Sequence, residues 1–233
     1  MQVKLIDYMG SDLTVVNSAR VSFSKKSDWD RSKEERFQQQ GIVYDLKLGE
    51  KDKKLIKYLA EHDHWSPFAH AQIQLHIKAP FFAARQLGKH QVGLVWNEVS
   101  RRYVVDKPDI YMPDGWHAKP DNAKQGRSDA VFDGNAELHL DRAYSYATQH
   151  CYDVYNDMIE RGVAPEQARM VLPLATYTEW YWTGSLLAFA RVCNQRLGHD
   201  AQAETGEIAK QISDIIAPLF PVSWKYLSQN IEN

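Results

Sequence analysis

Between Pro80 and Tyr103 the chain reads PFFAARQLGKHQVGLVWNEVSRRY, and these residue types suit the binding of an anion that carries a ring. Pro80 fits the first turn of a helix, on which Phe81, Ala84 and Leu87 recur at helical spacing. On the remaining face Arg85 stands one turn before Lys89, and Gln86 one turn before His90. Two cations, an amide and an imidazole therefore project together. Gly88 and Gly93 loosen the chain, and a polar loop of Asn97, Glu98, Val99, Ser100, Arg101, Arg102 and Tyr103 follows. Forked guanidinium groups match the oxygens of a phosphate or carboxylate. An isolated cationic helix face is usually solvated surface. Here the flanking glycines and the amide, acid, hydroxyl and arginine cluster beside it favour a ligand site.

Other residues invite chemistry. His62, His64 and His70 lie within nine residues, and with Asp63 they could hold a zinc-like ion. Pro67 interrupts them and no HExxH spacing sets them on one helical face, so no metal is assigned. His70 reads as a hydrogen-bonded histidine opening a strand. Ser100 has no histidine base beside it in sequence and reads as a binding hydroxyl, not a nucleophile. Arg169, alone between Pro165 and Pro173, could equally make a surface ion pair.

The elements that must position these groups follow from periodicity. Ala71 to Lys78 alternates, with Ala71, Ile73, Leu75 and Ile77 on one face and Gln72, Gln74, His76 and Lys78 on the other, which predicts a half-buried strand leading into the Pro80 helix. Upstream, residues 3–7 predict a short strand, and Ser11 or Asp12 caps a helix running to Arg20. Residues 24–54 are polar and short of apolar periodicity and read as a surface excursion. Asp52 offers a cap for a helix carrying Leu55, Ile56, Tyr58 and Leu59. Downstream, residues 104–105 and 110–112 read as strand and 113–135 as loop. A long helix over 136–161 is predicted to bury Leu138, Ala143, Tyr144, Ala147, Cys151, Tyr155, Met158 and Ile159. A strand over 176–183, an amphipathic helix over 185–196 and a last helix over 201–216 complete the chain.

The 233 residues carry 44% hydrophobic and 25% charged side chains, which suits one generous globular domain. A formal charge of −2 gives no overall pull toward nucleic acid or an anionic membrane. Cys151 and Cys193 read as reduced core thiols, fitting a cytoplasm, and no signal or long apolar span is expected.

Four blocks resemble a known family in order and spacing. They are MGSDLTVVNSARVSF near the start, His64, Pro67, Phe68 and His70 of an HxxPFxH signature, the run from Arg85 to Tyr103, and the C-terminal segments around Ala168-Arg169 and Asn194 to Gln202. Together they are similar to flavin-dependent thymidylate synthases. The resemblance implies an α+β fold, an antiparallel sheet flanked by helices in a single domain over residues 1–233, and a homotetramer with shared active sites. It implies methylation of dUMP to dTMP with methylenetetrahydrofolate as one-carbon donor and FAD reduced by NADPH. By position, Gln86, Lys89, Glu98, Ser100, Arg101, Arg102, Arg169 and Arg196 correspond to the dUMP site, with Arg196, Ser100 and Arg102 in the catalytic set. Ser22, His64, Ser66, Lys89, His90, Gln91, Asn97, Glu98, Ser185 and Arg191 correspond to the flavin site.

The chain departs from the pattern on the flavin side. Lys89 and Gln91 stand where the family has arginines, and eight residues instead of seven separate Gln91 from Ser100. Ser185, Leu187 and Arg191 stand where Asn, Arg and Asn are common, and Asp200 where a histidine is usual. A flavin bound more weakly or in a different pose is the expectation, with Arg191 offering a cation from another backbone position. Two other classes are compatible with single features. A metal-dependent nucleotide hydrolase would use His62, His64, His70 and the His199-Asp200 pair. A nucleotide- or RNA-binding module would use Lys89, Arg101 and Arg102 with Trp96 and Tyr103 for stacking.

Overall fold

The alternation at Ala71 to Lys78 becomes a central strand of a four-stranded antiparallel sheet. In spatial order the strands are β1 (Gln2–Met9), β4 (Gln72–Pro80), β6 (Tyr177–Ser185) and β5 (Leu94–Glu98), numbered along the chain. The computed structural model describes residues 1–38, 41–121, 126–198 and 201–228, with the backbone alone for 31–38 and 41–46. Ile73, Leu75 and Ile77 of β4 are fully buried, whereas Gln72, Gln74, His76 and Lys78 are half-exposed on the other face. Each such inward side chain contributes roughly 1.5–3 kcal/mol of burial, which fixes the register, since a one-residue slip would turn them outward. Across β6, Leu75 pairs with Trp182 and Ile77 with Trp180. Trp96 of β5 stacks on Trp180 with ring centroids 4.2 Å apart and meets Trp182 edge-on.

The helices are α1 (Asp12–Arg20), α2 (Glu50–Glu61), α3 (Ser66–Ala69), α4 (Phe81–Leu87), α5 (Gly134–Glu160), α6 (Pro165–Ala168), α7 (Leu186–Arg196), α8 (Ala203–Ile216) and α9 (Pro221–Leu227). Phe189, Val192 and Cys193 of α7 and Ile208, Ala209 and Ile212 of α8 share one core with the buried sheet residues, and Val15, Ile56 and Trp224 add α1, α2 and α9 to it. Burial pushes the Cys193 thiol far up, so it stays protonated and inert. The Asp12 carboxylate, 3% exposed, accepts the Val222 and Ser223 amides at 2.9 and 2.8 Å and so caps α9 across the core. Among the described residues no helix is long and apolar enough to cross a membrane.

Several expectations are corrected. The polar excursion carries a two-stranded ribbon, β2 (Asp30–Gln38) paired with β3 (Gly41–Lys47), whose sequence lacks the apolar alternation that marks a half-buried strand. Gly49, not Asp52, caps α2, and Asp52 instead pairs with Arg20 at 2.5 Å. Residues 104–105 form no strand, and Ile110 makes a single bridge to Thr176, just ahead of β6 and beyond the part of it that β5 pairs with. Asn97 and Glu98 belong to β5 and not to a loop. The last helix starts at Ala203, and α9, with Pro221 in its first turn, follows it unanticipated. The face of α5 read as buried is only partly covered: Tyr155 is buried and Tyr144, Cys151, Met158 and Ile159 are half-buried, but Leu138 is 46% exposed and Ala143 and Ala147 are exposed. This helix rests on α6 and the turn Arg169–Val171 rather than on the sheet core.

On β6, Gly184 pairs with Leu94 of β5. A Cβ at Gly184 would lie 2.7 Å from the Gly93 carbonyl oxygen, which accepts the Ser185 amide at 3.2 Å. Backbone cannot yield there cheaply. Gly184→Ala is therefore expected to cost about 2–3 kcal/mol in denaturant unfolding and to loosen the Lys89–Gly93 turn. A variant with the wild-type midpoint would mean that this junction has slack.

Candidate active site

α4 stops at Leu87, where the Gly88 amide returns to Ala84 and the His90 amide to the Leu87 carbonyl at 3.0 Å. Lys89 and His90 thus lie beyond the helix, not one turn along it, and the buried stripe is Ala83, Ala84 and Leu87, with Phe81 only half-buried. The turn carries His90 to Arg196, the last residue of α7. Arg196 Nε donates to His90 Nε2 at 3.0 Å, and Nη2 donates to the Gln86 carbonyl at 3.0 Å. The Gln86 amide donates to the Gln202 side-chain carbonyl. Burial and then the Arg196 charge hold His90 below the usual imidazole range, and burial draws Arg196 down while leaving it a cation at neutral pH. Gln86, Gln202, Glu204 and Arg127 line a cavity of about 1070 Å³.

A second cavity, of about 440 Å³, lies at the other end of α4. Phe81, Glu98, Ser100, Arg101, Arg169 and Leu174 are among its lining residues. Thr178 Oγ1 donates to one Glu98 oxygen at 2.7 Å and Trp96 Nε1 to the other at 3.1 Å, so the carboxylate is fixed by β6 and its own strand. Ser100 Oγ accepts the Arg102 amide at 3.3 Å. One terminal nitrogen of Arg101 donates to the Asp106 carbonyl, while its buried Nε has no partner among the described residues. Arg169 Nε donates to the Glu166 carbonyl at 3.3 Å, and among the described residues its terminal nitrogens have no hydrogen-bond partner. Arg102 lies outside this lining, its Nε held by the Glu166 carboxylate at 3.1 Å and its guanidinium over the Tyr103 ring.

The residues assigned to a flavin are more dispersed. Ser22 is exposed in the turn after α1, and His64 and Ser66 are exposed at the start of α3. Tyr58 stacks on His62 at 4.1 Å and on His64 at 5.8 Å. Lys89, Gln91, Asn97 and Arg191 are exposed. Ser185 is 7% exposed and its hydroxyl caps α7 by accepting the Ala188 amide at 3.2 Å. Of this set only Glu98 lines either cavity. Among the described residues no three His, Cys, Asp or Glu converge as a metal site, and His199 and Asp200 lie outside the described residues. Gln202 and Glu166, which hold Gln86 and Arg102, were not picked out from sequence. Their partners stand 116 and 64 positions away; the signals in the sequence are that Gln202 closes the Asn194 to Gln202 segment of the resemblance and that Glu166 lies close before Arg169.

Residues 4–222 match the family described as thymidylate synthase complementing protein. The chain belongs to the flavin-dependent thymidylate synthase family. It is 36% identical over 222 residues to a flavin-dependent thymidylate synthase of Thermosipho africanus, covering 94% of this chain and 87% of that one. Another from Thermus thermophilus is 34% identical over 229 residues, 98% of this chain and 76% of the relative. Among solved structures, a UMP/dUMP methylase, PolB, from Streptomyces cacaoi bound with 5-Br dUMP superposes with a TM-score of 0.78 at 27% identity, covering 97% of this chain and 94% of that one. The family's α+β fold, an antiparallel sheet with helices, is the one described above.

Proposed function

We propose that the protein methylates dUMP to dTMP with methylenetetrahydrofolate and FAD reduced by NADPH. The observation that carries this reading is the convergence of Ser100, Arg101 and Arg169 on one cavity beside a fixed Glu98, in a chain of this family. Two guanidinium groups with open nitrogens and a hydroxyl suit a nucleotide phosphate. Arg102, with Ser100 in the catalytic set, joins them once its exposed pair with Glu166 gives way, which costs little. At the other end of α4, Arg196 and Gln86 form the pyrimidine-facing half. Arg196 polarises the ring by stabilising charge that builds on its carbonyl oxygens and N3.

The two halves share no lining residue and lie at opposite ends of a seven-residue helix. A second copy of the chain would bring one half to the other, which supports the homotetramer with shared sites. Leu138 and Tyr146 on α5, Met170 beside Arg169 and Tyr103 beside Arg102 are exposed apolar groups for such contacts. The residues present fit a flavin dinucleotide on chemical grounds: Lys89 and Arg191 are exposed cations with no ion-pair partner among the described residues, and His64 belongs to an exposed ring stack. Lys89, Gln91, Arg191, Ser22, Asn97, His64 and Ser66 would hold it. When bound, the reduced flavin supplies hydride and relays the one-carbon unit. The protein acts on small molecules in the cytoplasm, without nucleic acid or membrane.

An absorbance scan over roughly 300–550 nm with added FAD, followed by dUMP titration, tests this reading. A bound-flavin spectrum that dUMP perturbs is expected. Failure to bind FAD together with stoichiometric zinc or manganese would move the protein to the hydrolases.

A further inference from the structure

His90 occupies a place that a flavin-contacting residue need not have. Its Nε2 is the acceptor for Arg196 Nε–H at 3.0 Å, and the second fixed point of the same guanidinium is the Gln86 carbonyl at 3.0 Å. Planar and delocalised, a guanidinium held at two points in fork geometry has its remaining N–H groups aimed in one direction. Because Arg196 can only donate, the bond requires Nε2 to be unprotonated, which places the proton of the neutral ring on Nδ1.

We infer that His90 is a positioning residue: its unprotonated Nε2 holds the Arg196 guanidinium in the orientation that meets the pyrimidine, and protonation of the ring releases it. The role rests on the dUMP reading for its consequence, but the contact itself does not.

The local charges agree with this assignment. Of the described residues, Arg196 from α7 is the charged group acting on the ring. On its own turn the His90 backbone amide is held by the Leu87 carbonyl, the Gln86 carbonyl is bound to Arg196, and the flanking Lys89 and Gln91 are exposed. Burial, and then the nearby cation, keep His90 below its ordinary value of 6.5. The sign follows. A base with a lowered value is neutral above its ordinary range, so the contact is complete at neutral pH. It is lost as the pH falls through the lowered value, when two cations and two N–H groups would face each other.

The contact is tested first by following imidazole nitrogens of the full-length protein by NMR during pH titration, with His90→Gln assigning the signal. The expected result is an Nδ1–H tautomer that titrates below the ordinary imidazole value of 6.5 and moves up in Arg196→Met. An Nε2–H tautomer, or a titration indifferent to Arg196→Met, would overturn the assignment whatever the substrate is. The consequence is tested by dUMP affinity between about pH 7.5 and 5. The substrate phosphate itself titrates near 6, so the readout is the difference between proteins. Wild type should lose about tenfold more affinity across that range than His90→Gln, whose amide oxygen can accept the same bond without titrating. His90→Phe, lacking an acceptor, should bind weakly throughout, with no excess acid loss. Equal pH dependence in wild type and His90→Gln would remove the positioning role, whereas a correct NMR result with no dUMP binding at any pH would remove the substrate reading alone.

Discussion

Arg196→Ala is expected to lower dUMP methylation by about three orders of magnitude while leaving the fold in place. The guanidinium ends α7 at the edge of the core, half-buried, with two hydrogen bonds, to His90 Nε2 and the Gln86 carbonyl, and no ion pair among the described residues. Both partners remain open enough for water to replace it, so the loss in stability should stay near 1–2 kcal/mol. The chemistry has no such substitute. Negative charge that builds on a pyrimidine carbonyl during attack from carbon 5 needs a donor already in place, and removal of one preorganised donor costs about 10²–10³ in rate. A full cation in a partly buried site stands at the upper end of that range. Arg196→Lys should not recover the activity, because an ammonium cannot hold His90, Gln86 and a ring edge from one planar fork. Circular dichroism and denaturant midpoints near wild type, together with turnover reduced about a thousandfold, are the expected pair of results. Wild-type turnover in Arg196→Ala would remove the proposed mechanism.

How far the sequence foretold this site depends on the distance over which each contact acts. β4 was legible because its alternation is local and strict, and the helix after Pro80 because proline and three apolar positions mark it. The end of that helix was not, since Lys89 and His90 continue a helical pattern that Gly88 breaks in fact. Asn97 and Glu98 looked like loop because polar residues on an edge strand carry no apolar period, and what makes them strand is pairing with Tyr181 and Trp180, more than eighty positions on. The arginines could be named from their motifs, but their roles separate only in space. Arg196 meets His90 across 106 positions, and Arg102 is tied to Glu166 while Arg169 is left open. The stripe of α5 taught the reverse lesson: its apolar spacing is local and legible, but Leu138, Ala143 and Ala147 stay exposed because this helix rests on α6 and the turn after it and not on the sheet core.

That division between the arginines sets the second large effect, a loss of about hundredfold in dUMP affinity for Arg169→Ala. Arg169 lines the cavity with Ser100 and Arg101, and its single bond, from Nε to the Glu166 carbonyl, turns the free fork outward without neutralising it. A bidentate bond from such a fork to phosphate is worth several kcal/mol at most, and hundredfold corresponds to about 2.7 kcal/mol. Arg102 starts from a different position. Its Nε is bound to the Glu166 carboxylate at 3.1 Å, so a phosphate must compete with an existing partner, and Arg102→Ala should cost only about tenfold. Glu166→Gln should then tighten dUMP binding by freeing Arg102. Arg169→Lys should recover part of the loss, as a point charge keeps the attraction but not the paired geometry. The decisive comparison is deoxyuridine, which shares the ring and lacks the phosphate. Its affinity should be the same in Arg169→Ala as in wild type, and an equal loss for nucleoside and nucleotide would place Arg169 in the framework of the cavity instead of on the phosphate.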